Sequence, residues 1–172
     1  MFIHLIRVDV KILVLTLTSR SRLPSGIYCI QVWGSVCSST LDKLIKLQKR
    51  IVRMIYGVPR KTPSSPLFKA LNILRFNELY QYNLGMLMYK FHHSLLPNTI
   101  SGLFITNRDI HNHFTRQSHL LHPPKVSSVL GKQSFKYNAS LLWNRTMVAL
   151  NVNNKIGTFK KHMKSFLLNE ID

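Results

Sequence analysis

The residues best suited to bind a ligand lie in the stretch LDKLIKLQKRIVRMIYGVPRKTP, which begins at Leu41 and ends at Pro63. On a helix with about 100° per residue, its basic residues share one face and its large aliphatic residues share the opposite face. The basic set, which includes every cation between positions 42 and 55, is Lys43, Lys46, Lys49, Arg50 and Arg53. Cations at this spacing contact phosphate oxygens, so the pattern indicates a surface that follows a nucleic-acid backbone.

The aliphatic face of this helix is expected to be buried, because exposing each Leu or Ile costs about 1.5–3 kcal/mol. Its members are Leu41, Leu44, Ile45, Ile51, Val52 and Ile55. The opposite face then points to solvent, where the cations repel one another because Asp42 is the stretch's single acid. Most exposed helices instead gain a few tenths of a kcal/mol from pairs of opposite charge. A polyanion would relieve the repulsion, and a merely solvated face is the alternative.

The composition of the whole chain favours an anionic partner. Lys and Arg number 24 against six Asp and Glu, which gives a formal net charge of +18 over 172 residues. Charge on this scale destabilises a compact protein through self-repulsion unless anions are near, and it is typical of nucleic-acid binding. A second interpretation is that the terminal basic helix binds an anionic membrane surface. A third is that the chain is a basic organellar or ribosomal-type protein.

No catalytic centre is expected. The six carboxylates, which would have to pair to hold Mg²⁺, are scattered through the sequence as Asp9, Asp42, Glu78, Asp109, Glu170 and Asp172. GKQS at Gly131 lacks the upstream glycine of a phosphate-binding loop, because Val126 stands in that position. The sequence therefore predicts neither catalytic residues, nor a cofactor, nor a small-molecule substrate.

Four histidines between positions 111 and 122 are a weak candidate for a zinc site. His111, His113, His119 and His122 lack the cysteines that usually close structural zinc sites, so we interpret them as polar loop residues and predict no metal.

Two cysteines, Cys29 and Cys37, form no disulfide framework, which favours a nuclear or cytoplasmic protein over a secreted one. The apolar start of the chain is interrupted by His4, Arg7 and Asp9, so no membrane span is expected.

Apolar periodicity predicts a mainly α fold: a small basic domain of about four to five helices, with a long irregular loop and a possible short β element. Gly57 is expected to end the basic helix, and Ser64 or Ser65 to cap the next one, with Pro66 at its first position. A long helix is expected from Asn77, and its Gly85 indicates close packing. SFKYNASLLWN is expected to be a strand that runs into a short helix, and residues 98 to 134 to be irregular.

Further basic residues extend the predicted nucleic-acid surface. The terminal helix is expected to bury Phe159, Met163, Phe166 and Leu167. Its outward cations and Arg116 would form a second basic surface, and Tyr137 beside two lysines is the best candidate for stacking on a base, whereas Trp33 and Trp143 are interpreted as core. The additional predicted contact residues are Arg116, Lys132, Lys136, Tyr137, Lys160, Lys161 and Lys164.

The order of these segments resembles the C-terminal part of reverse transcriptases of jockey-like non-LTR (LINE-type) retrotransposons, over about residues 27 to 168. The blocks that carry the resemblance are YCIQVWG, LQKR, PLF, MYK, TR, YNASLLWN and FKK. Their residues are Tyr28, Cys29, Trp33, Gly34, Leu47, Gln48, Lys49, Arg50, Pro66, Leu67, Phe68, Met88, Tyr89, Lys90, Thr115, Arg116, Trp143, Asn144, Phe159 and Lys160. The chain departs from the family at Phe114, where Asn is usual, at Ala139–Ser140, where Gly-Pro is usual, and at NRTM, where Asn-Ser-Leu-Pro is usual.

The resemblance implies a truncated fragment of an RNA-directed DNA polymerase that lacks the paired aspartates of the polymerase site. Residues 1–24 form a non-matching leader. The rest divides into a thumb-like basic helical region (25–97), an irregular loop rich in His, Ser and Pro (98–134) and an aromatic, basic helical region (135–172). The implied function is binding of a template–primer nucleic acid, RNA or DNA. The alternative is a protein-interaction module whose helices dock on a polymerase palm domain.

Overall fold

The computed structural model describes residues 30, 34–35, 38–110, 115–150, 152–153 and 155–171. Over these ranges the backbone forms eight α-helices and no β-strand, which confirms the expected mainly α fold. Thr106 and Leu121 form an isolated antiparallel bridge. The leader and the expected core residue Trp33 lie outside the described residues. The helices are α1 (Ser38–Tyr56), α2 (Ser65–Leu71), α3 (Phe76–His92), α4 (Asn98–Ser101), α5 (Asn107–Ile110), α6 (Val129–Lys132), α7 (Phe135–Ala149) and α8 (Ile156–Asn169).

The chain divides into two compact units. The first comprises the described residues up to Tyr80 together with those from Lys164 onward, and the second is Gln81–Met163. The three-part division at 97/98 and 134/135, which rests on composition and on the resemblance, stays a prediction.

The first unit is built on an apolar cluster beneath α1 and α2. Its buried members are Val52, Leu67, Phe68, Ile73 and Ile171, and further partly buried aliphatic side chains pack around them. Val52, Phe68 and Ile171 are completely buried. Because each such side chain contributes about 1.5–3 kcal/mol when it is removed from water, this cluster fixes which side of α1 faces inward.

The C-terminus of α1 is closed by Gly57, as the sequence predicts. Gly57 has a φ of 67°, a left-handed conformation that costs glycine little. Its N–H donates to Met54 O at 3.1 Å, and the N–H of Val58 donates to Arg53 O at 3.1 Å. This pair of hydrogen bonds is a Schellman motif, and Val58 packs on the apolar cluster as the motif requires.

α2 begins almost as predicted. Ser64 occupies the N-cap position, but its side chain makes no capping hydrogen bond, and Pro66 is the second helical residue instead of the first. Asn72 ends the helix with a φ of 55°, and the N–H of Ile73 donates to Phe68 O at 3.0 Å. The chain thus reverses tightly and brings Ile73 back into the cluster.

Gln48 joins α1 to the start of α3. Its Nε2 donates to Leu74 O at 3.0 Å, and its Oε1 accepts from the N–H of Phe76 at 3.0 Å. Phe76 is the first residue of α3, so its N–H has no partner within its own helix. The Gln48 amide therefore caps α3 from a neighbouring helix.

The second unit has an aromatic core. Trp143 of α7 is buried, as predicted, and its ring centroid lies 6.4 Å from that of Phe159, which in turn lies 4.7 Å from Tyr89. Gly85 packs directly on Met163: a Cβ at this position would lie 2.6 Å from Met163 Cε. The close packing expected at Gly85 is therefore confirmed.

The expectation of a strand at SFKYNASLLWN was wrong, because this segment is helical throughout α7. Ser134 caps the helix, with its hydroxyl accepting from the N–H of Tyr137 at 3.4 Å. The buried residues then recur at helical spacing, as Ala139, Ser140, Leu142, Trp143 and Thr146. Burial of this face outweighs the β propensity of the aromatic residues at the start of the segment.

Residues 98 to 134 are more regular than expected, since they contain α4, α5 and α6. The segment is held to α7 by Asn144, whose Oδ1 accepts from the N–H of Leu121 at 2.9 Å and whose Nδ2 donates to Leu121 O at 2.8 Å. α5 begins with a capping arrangement in which Asp109 Oδ2 accepts from the N–H of Thr106 at 2.9 Å. The Thr106 hydroxyl donates to the same oxygen, and this hydrogen bond, followed by the one from the Thr106 N–H, lowers the pKa of the Asp109 carboxyl.

Replacement of Gln48 by Ala is expected to lower the free energy of unfolding by about 1–3 kcal/mol, because it leaves Leu74 O and the N–H of Phe76 without their partner. Urea unfolding followed by circular dichroism measures this change. The control is Gln117→Ala at an exposed turn position. A loss no larger than that of the control would show that the Gln48 amide does not support the fold.

Stability is expected to fall as the pH drops from about 7 to 5, in part because of His92. Burial first, and then the neighbouring His93, lowers the pKa of His92 from its ordinary 6.5, against a hydrogen bond with Asn153 that raises it. The unfolded chain then binds the proton more readily than the folded chain, so stability is complete above pH 6.5 and declines below it. His92→Gln should flatten the pH dependence of the unfolding midpoint, whereas an unchanged slope would contradict this assignment.

Candidate nucleic-acid interface

α1 presents its cations on the side away from the apolar cluster. Leu41 and Val52 are buried, whereas Lys43, Lys46 and Arg50 are exposed. Lys49 and Arg53 are partly buried at the edge of the same face. The five cations span an arc of about 120° and about 15 Å along the axis, by the geometry of an ideal helix. The sequence thus identified the direction in which this face points, but it was wrong to place Leu44 on the buried side, since Leu44 is 38% exposed.

The cations converge on one surface concavity of about 350 Å³, which we call the basic concavity. Its lining residues, six cations and one leucine, are Lys43, Lys46, Leu47, Lys49, Arg50, Arg53 and Arg60. Arg60 was not among the predicted contacts. It comes from the turn after α1, which Gly57 directs back along the helix, and the sequence contains no local signal for that return.

Arg53 departs from its expected role. Its Nε donates to Thr62 O at 2.7 Å, and its Nη1 lies 3.5 Å from Lys49 O. The guanidinium therefore fastens the turn that carries Arg60 and is only partly available to an external anion. We assign Arg53 a positioning role at the base of the concavity, and the other four α1 cations remain the candidate phosphate contacts.

The charge of the basic concavity is not neutralised by neighbouring acids. Among the residues that the structure describes, no carboxylate forms an ion pair with Lys43, Lys46, Arg50 or Arg60. Arg75 differs from these residues, because its guanidinium pairs with Glu78 at 2.9 Å. Adjacent unpaired cations produce a positive potential that attracts phosphate, and this potential is screened beyond about 8 Å at physiological salt.

The other predicted contacts fall at dispersed places. Arg116 is exposed in a turn, Lys132 is exposed at the end of α6, and Lys136 and Tyr137 are partly buried in the first turn of α7. Neighbouring Phe135 packs on Phe104 with the ring centroids 5.9 Å apart. Tyr137 stays a prediction as a base contact.

The three lysines of α8 are not equivalent. Lys161 is exposed as expected, but Lys160 and Lys164 are partly buried, since they border the face formed by Phe159, Met163 and Leu167. Burial lowers the pKa of Lys164. Phe166, expected inside, is also only partly buried. The sequence pattern did not distinguish residues at the centre of this buried face from residues at its borders. Successive residues on a helix are about 100° apart, so a small error in the assumed direction of the face moves a residue from the centre to a border.

The predicted histidine cluster is described only in part. His111 and His113 lie outside the described residues, His119 is exposed, and His122 Nδ1 lies 3.0 Å from Asn107 Oδ1. Nowhere in the described ranges do three potential ligands among His, Cys, Asp and Glu converge to hold a metal ion. No helix in that part of the chain has the length and hydropathy needed to cross a bilayer.

No protein-family model, curated protein or solved structure matches this chain. The basic concavity must therefore be interpreted from its own geometry and charge, with the resemblance to reverse transcriptases as an expectation beside it.

Arg53→Lys is expected to lower the free energy of unfolding by about 1–2 kcal/mol although it preserves the charge, because lysine cannot reproduce the Nε hydrogen bond to Thr62 O. Arg50→Lys is the matched control, since Arg50 is exposed on the same helix and should change stability by less than about 0.5 kcal/mol. Urea unfolding of the two variants gives the comparison. Equal stability would mean that Arg53 does not hold the turn.

Proposed function

We propose that this protein binds nucleic acid through the phosphate backbone, using the basic concavity of α1 and the turn that follows it. The observation that supports the proposal is the convergence of Lys43, Lys46, Lys49, Arg50 and Arg60 on one surface without a paired carboxylate among the described residues. Phosphate contacts of this kind supply affinity without reading sequence. The expected ligand is therefore an RNA or DNA backbone, bound with little preference among bases.

The proposal extends to the origin of the chain. The basic helix contains the LQKR block of the resemblance, so we infer a non-catalytic, thumb-type segment related to reverse transcriptases of LINE-type retrotransposons. A segment of that type would hold a template–primer duplex while the paired aspartates of a palm domain carry out nucleotide transfer. This origin also implies nucleic acid as the partner.

A second candidate is a protein-interaction module that docks on a polymerase palm domain. Leu47 and Met54 of α1 support it, since their side chains are 51% and 49% exposed. Contact with phosphates needs only the cations, so the exposed aliphatic side chains beside them favour a protein partner. If docking were the main function, the isolated chain would self-associate or precipitate, and its affinity for nucleic acid would not depend on the α1 cations.

Binding to duplex DNA should weaken steeply with salt. Five phosphate contacts at about 0.9 each predict a slope of log K against log[salt] of about −4 to −5, which is a loss of about 500-fold between 50 and 200 mM salt. Fluorescence anisotropy with a labelled duplex measures the slope, and an RNA duplex of the same sequence tests the preference for RNA or DNA. A slope near zero would refute the proposal.

Charge reversal identifies the surface. Changing Lys43, Lys46, Arg50 and Arg60 together to Glu should reduce the slope to about −1 or weaker, because four contacts are lost. The matched control changes four exposed lysines elsewhere, with the same effect on net charge: Lys69, Lys90, Lys125 and Lys155. The control should retain most of the slope. If both variants lose binding equally, net charge alone attracts the ligand and the basic concavity is not the site.

A further inference from the structure

α1 has a third face, which lies between the cations and the side packed on the apolar cluster and borders both: Leu47 lines the basic concavity, and Ile51 packs against the cluster. It carries Leu44, Leu47, Ile51 and Met54, at successive spacings of three, four and three residues. The side chains of Leu44, Leu47 and Met54 are 38%, 51% and 49% exposed, and Ile51 is partly buried. We call these four residues the aliphatic seam.

The spacing of the seam is that of the a and d positions of a coiled coil, with Leu44 and Ile51 at a and Leu47 and Met54 at d. A seam of this kind is a surface into which a second helix inserts its own aliphatic side chains. Exposure of the seam to water is unfavourable, because each half-exposed aliphatic side chain lacks part of the stabilising free energy that full burial would provide. Single exposed aliphatic residues are common on protein surfaces. The four residues of the seam differ from these because their heptad spacing places them side by side and forms a contiguous aliphatic patch.

The charges beside the seam specify what can cover it. Lys43 and Arg50 occupy the g positions along its open edge, whereas Gln48 and Ile55, at the e positions of the other edge, are engaged with the first unit. A second copy of α1 would bring its own cations against this edge and would be repelled. A helix with acidic residues beside its own aliphatic residues would match the edge, because opposite charges at these positions determine partner choice.

We propose that the aliphatic seam is the docking site of an acidic amphipathic helix of a partner protein. The partner contributes aliphatic side chains to the seam and Glu or Asp side chains to Lys43 and Arg50. The inference goes beyond nucleic-acid binding and does not require it. Because Lys43 and Arg50 also line the basic concavity, a docked helix covers part of the phosphate-binding surface and competes with nucleic acid for it.

The test uses a synthetic 21-residue peptide with Leu at a and d and Glu at e and g, labelled at one end. The Glu residues keep this peptide from pairing with itself. A scrambled peptide of identical composition lacks the amphipathic register and measures binding by charge alone. Anisotropy titrations at 150 mM salt against the full chain should give a dissociation constant at least fivefold lower for the heptad peptide than for the scrambled one.

The variant that disrupts the seam is Leu44→Ser with Met54→Ser, which alters exposed side chains outside the basic concavity and leaves all cations in place. It should weaken heptad-peptide binding more than fivefold and leave the salt slope for duplex DNA unchanged. Its control is Leu95→Ser with Val148→Ser, at positions that are 63% and 82% exposed and lie outside α1. This control should bind the heptad peptide like the parent chain.

The outcomes separate this inference from the proposed function. A loss smaller than fivefold in the seam variant, or equal binding of the heptad and scrambled peptides, overturns the aliphatic seam as a docking site. Seam-dependent peptide binding without a salt slope for duplex DNA refutes the nucleic-acid proposal and leaves the seam intact. Competition is established if the heptad peptide displaces a bound duplex from the parent chain but does not displace it from the seam variant.

Discussion

The burial of one side of α1 is the constraint on which the rest of the account depends. Val52, Phe68 and Ile171 are removed completely from solvent, so α1 cannot rotate about its axis without exposing aliphatic surface. Rotation by one residue position, about 100°, would remove Val52 from the cluster, and in one direction it would also turn Lys49 and Arg53 inward, where a charge without a partner is costly. The apolar cluster therefore determines the direction of every cation on the helix. Gln48 also fixes the orientation of α1, because its side-chain amide forms hydrogen bonds with both Leu74 O and the N–H of Phe76.

The same constraint leaves α1 with two adjacent faces that are candidates for binding. The basic concavity holds cations from the helix and from the turn that Gly57 and Arg53 fix in place, and the aliphatic seam runs along its edge. Screening at physiological salt confines strong attraction to about 8 Å, so the local arrangement of charge matters more for contact than the excess of cations elsewhere. The remaining positive charge steers anions toward the protein and sets the rate of encounter. If both proposals hold, binding at one face affects the other, because Lys43 and Arg50 border both.

Much of the fold followed from local sequence signals. The glycine that ends α1, the start of α3 and the buried positions of Trp143 and Gly85 depend on backbone conformation, on periodicity and on side-chain volume, which are readable over a few residues. The sequence could not place what depends on distant contacts. Ile171 joins a cluster with residues more than a hundred positions earlier, and Asn144 organises a segment centred on Leu121. The strand expected at the start of α7 was wrong because burial of Ala139, Leu142 and Trp143 at helical spacing outweighs the β propensity of the aromatic residues before them.

The candidate site shows the same division. Amphipathicity placed Lys43, Lys46 and Arg50 on one open face, but it could not show that Arg53 is bound to Thr62 O or that Arg60 returns to the same surface. Both facts depend on the path of the chain after Gly57, which is set by tertiary packing of Val58. Similarly, Lys160 and Lys164 were expected to be as free as Lys161, although they border a buried face. Charge is visible in a sequence, whereas the neighbours that engage it are not.

The most direct test of the central claim, that the basic concavity is where nucleic acid binds, is lysine acetylation footprinting by mass spectrometry with and without a saturating short duplex. The account predicts at least threefold slower acetylation of Lys43, Lys46 and Lys49 in the complex, with Lys69, Lys90, Lys125 and Lys155 modified at unchanged rates. Equal protection of all these lysines, or protection confined to those outside α1, would contradict it.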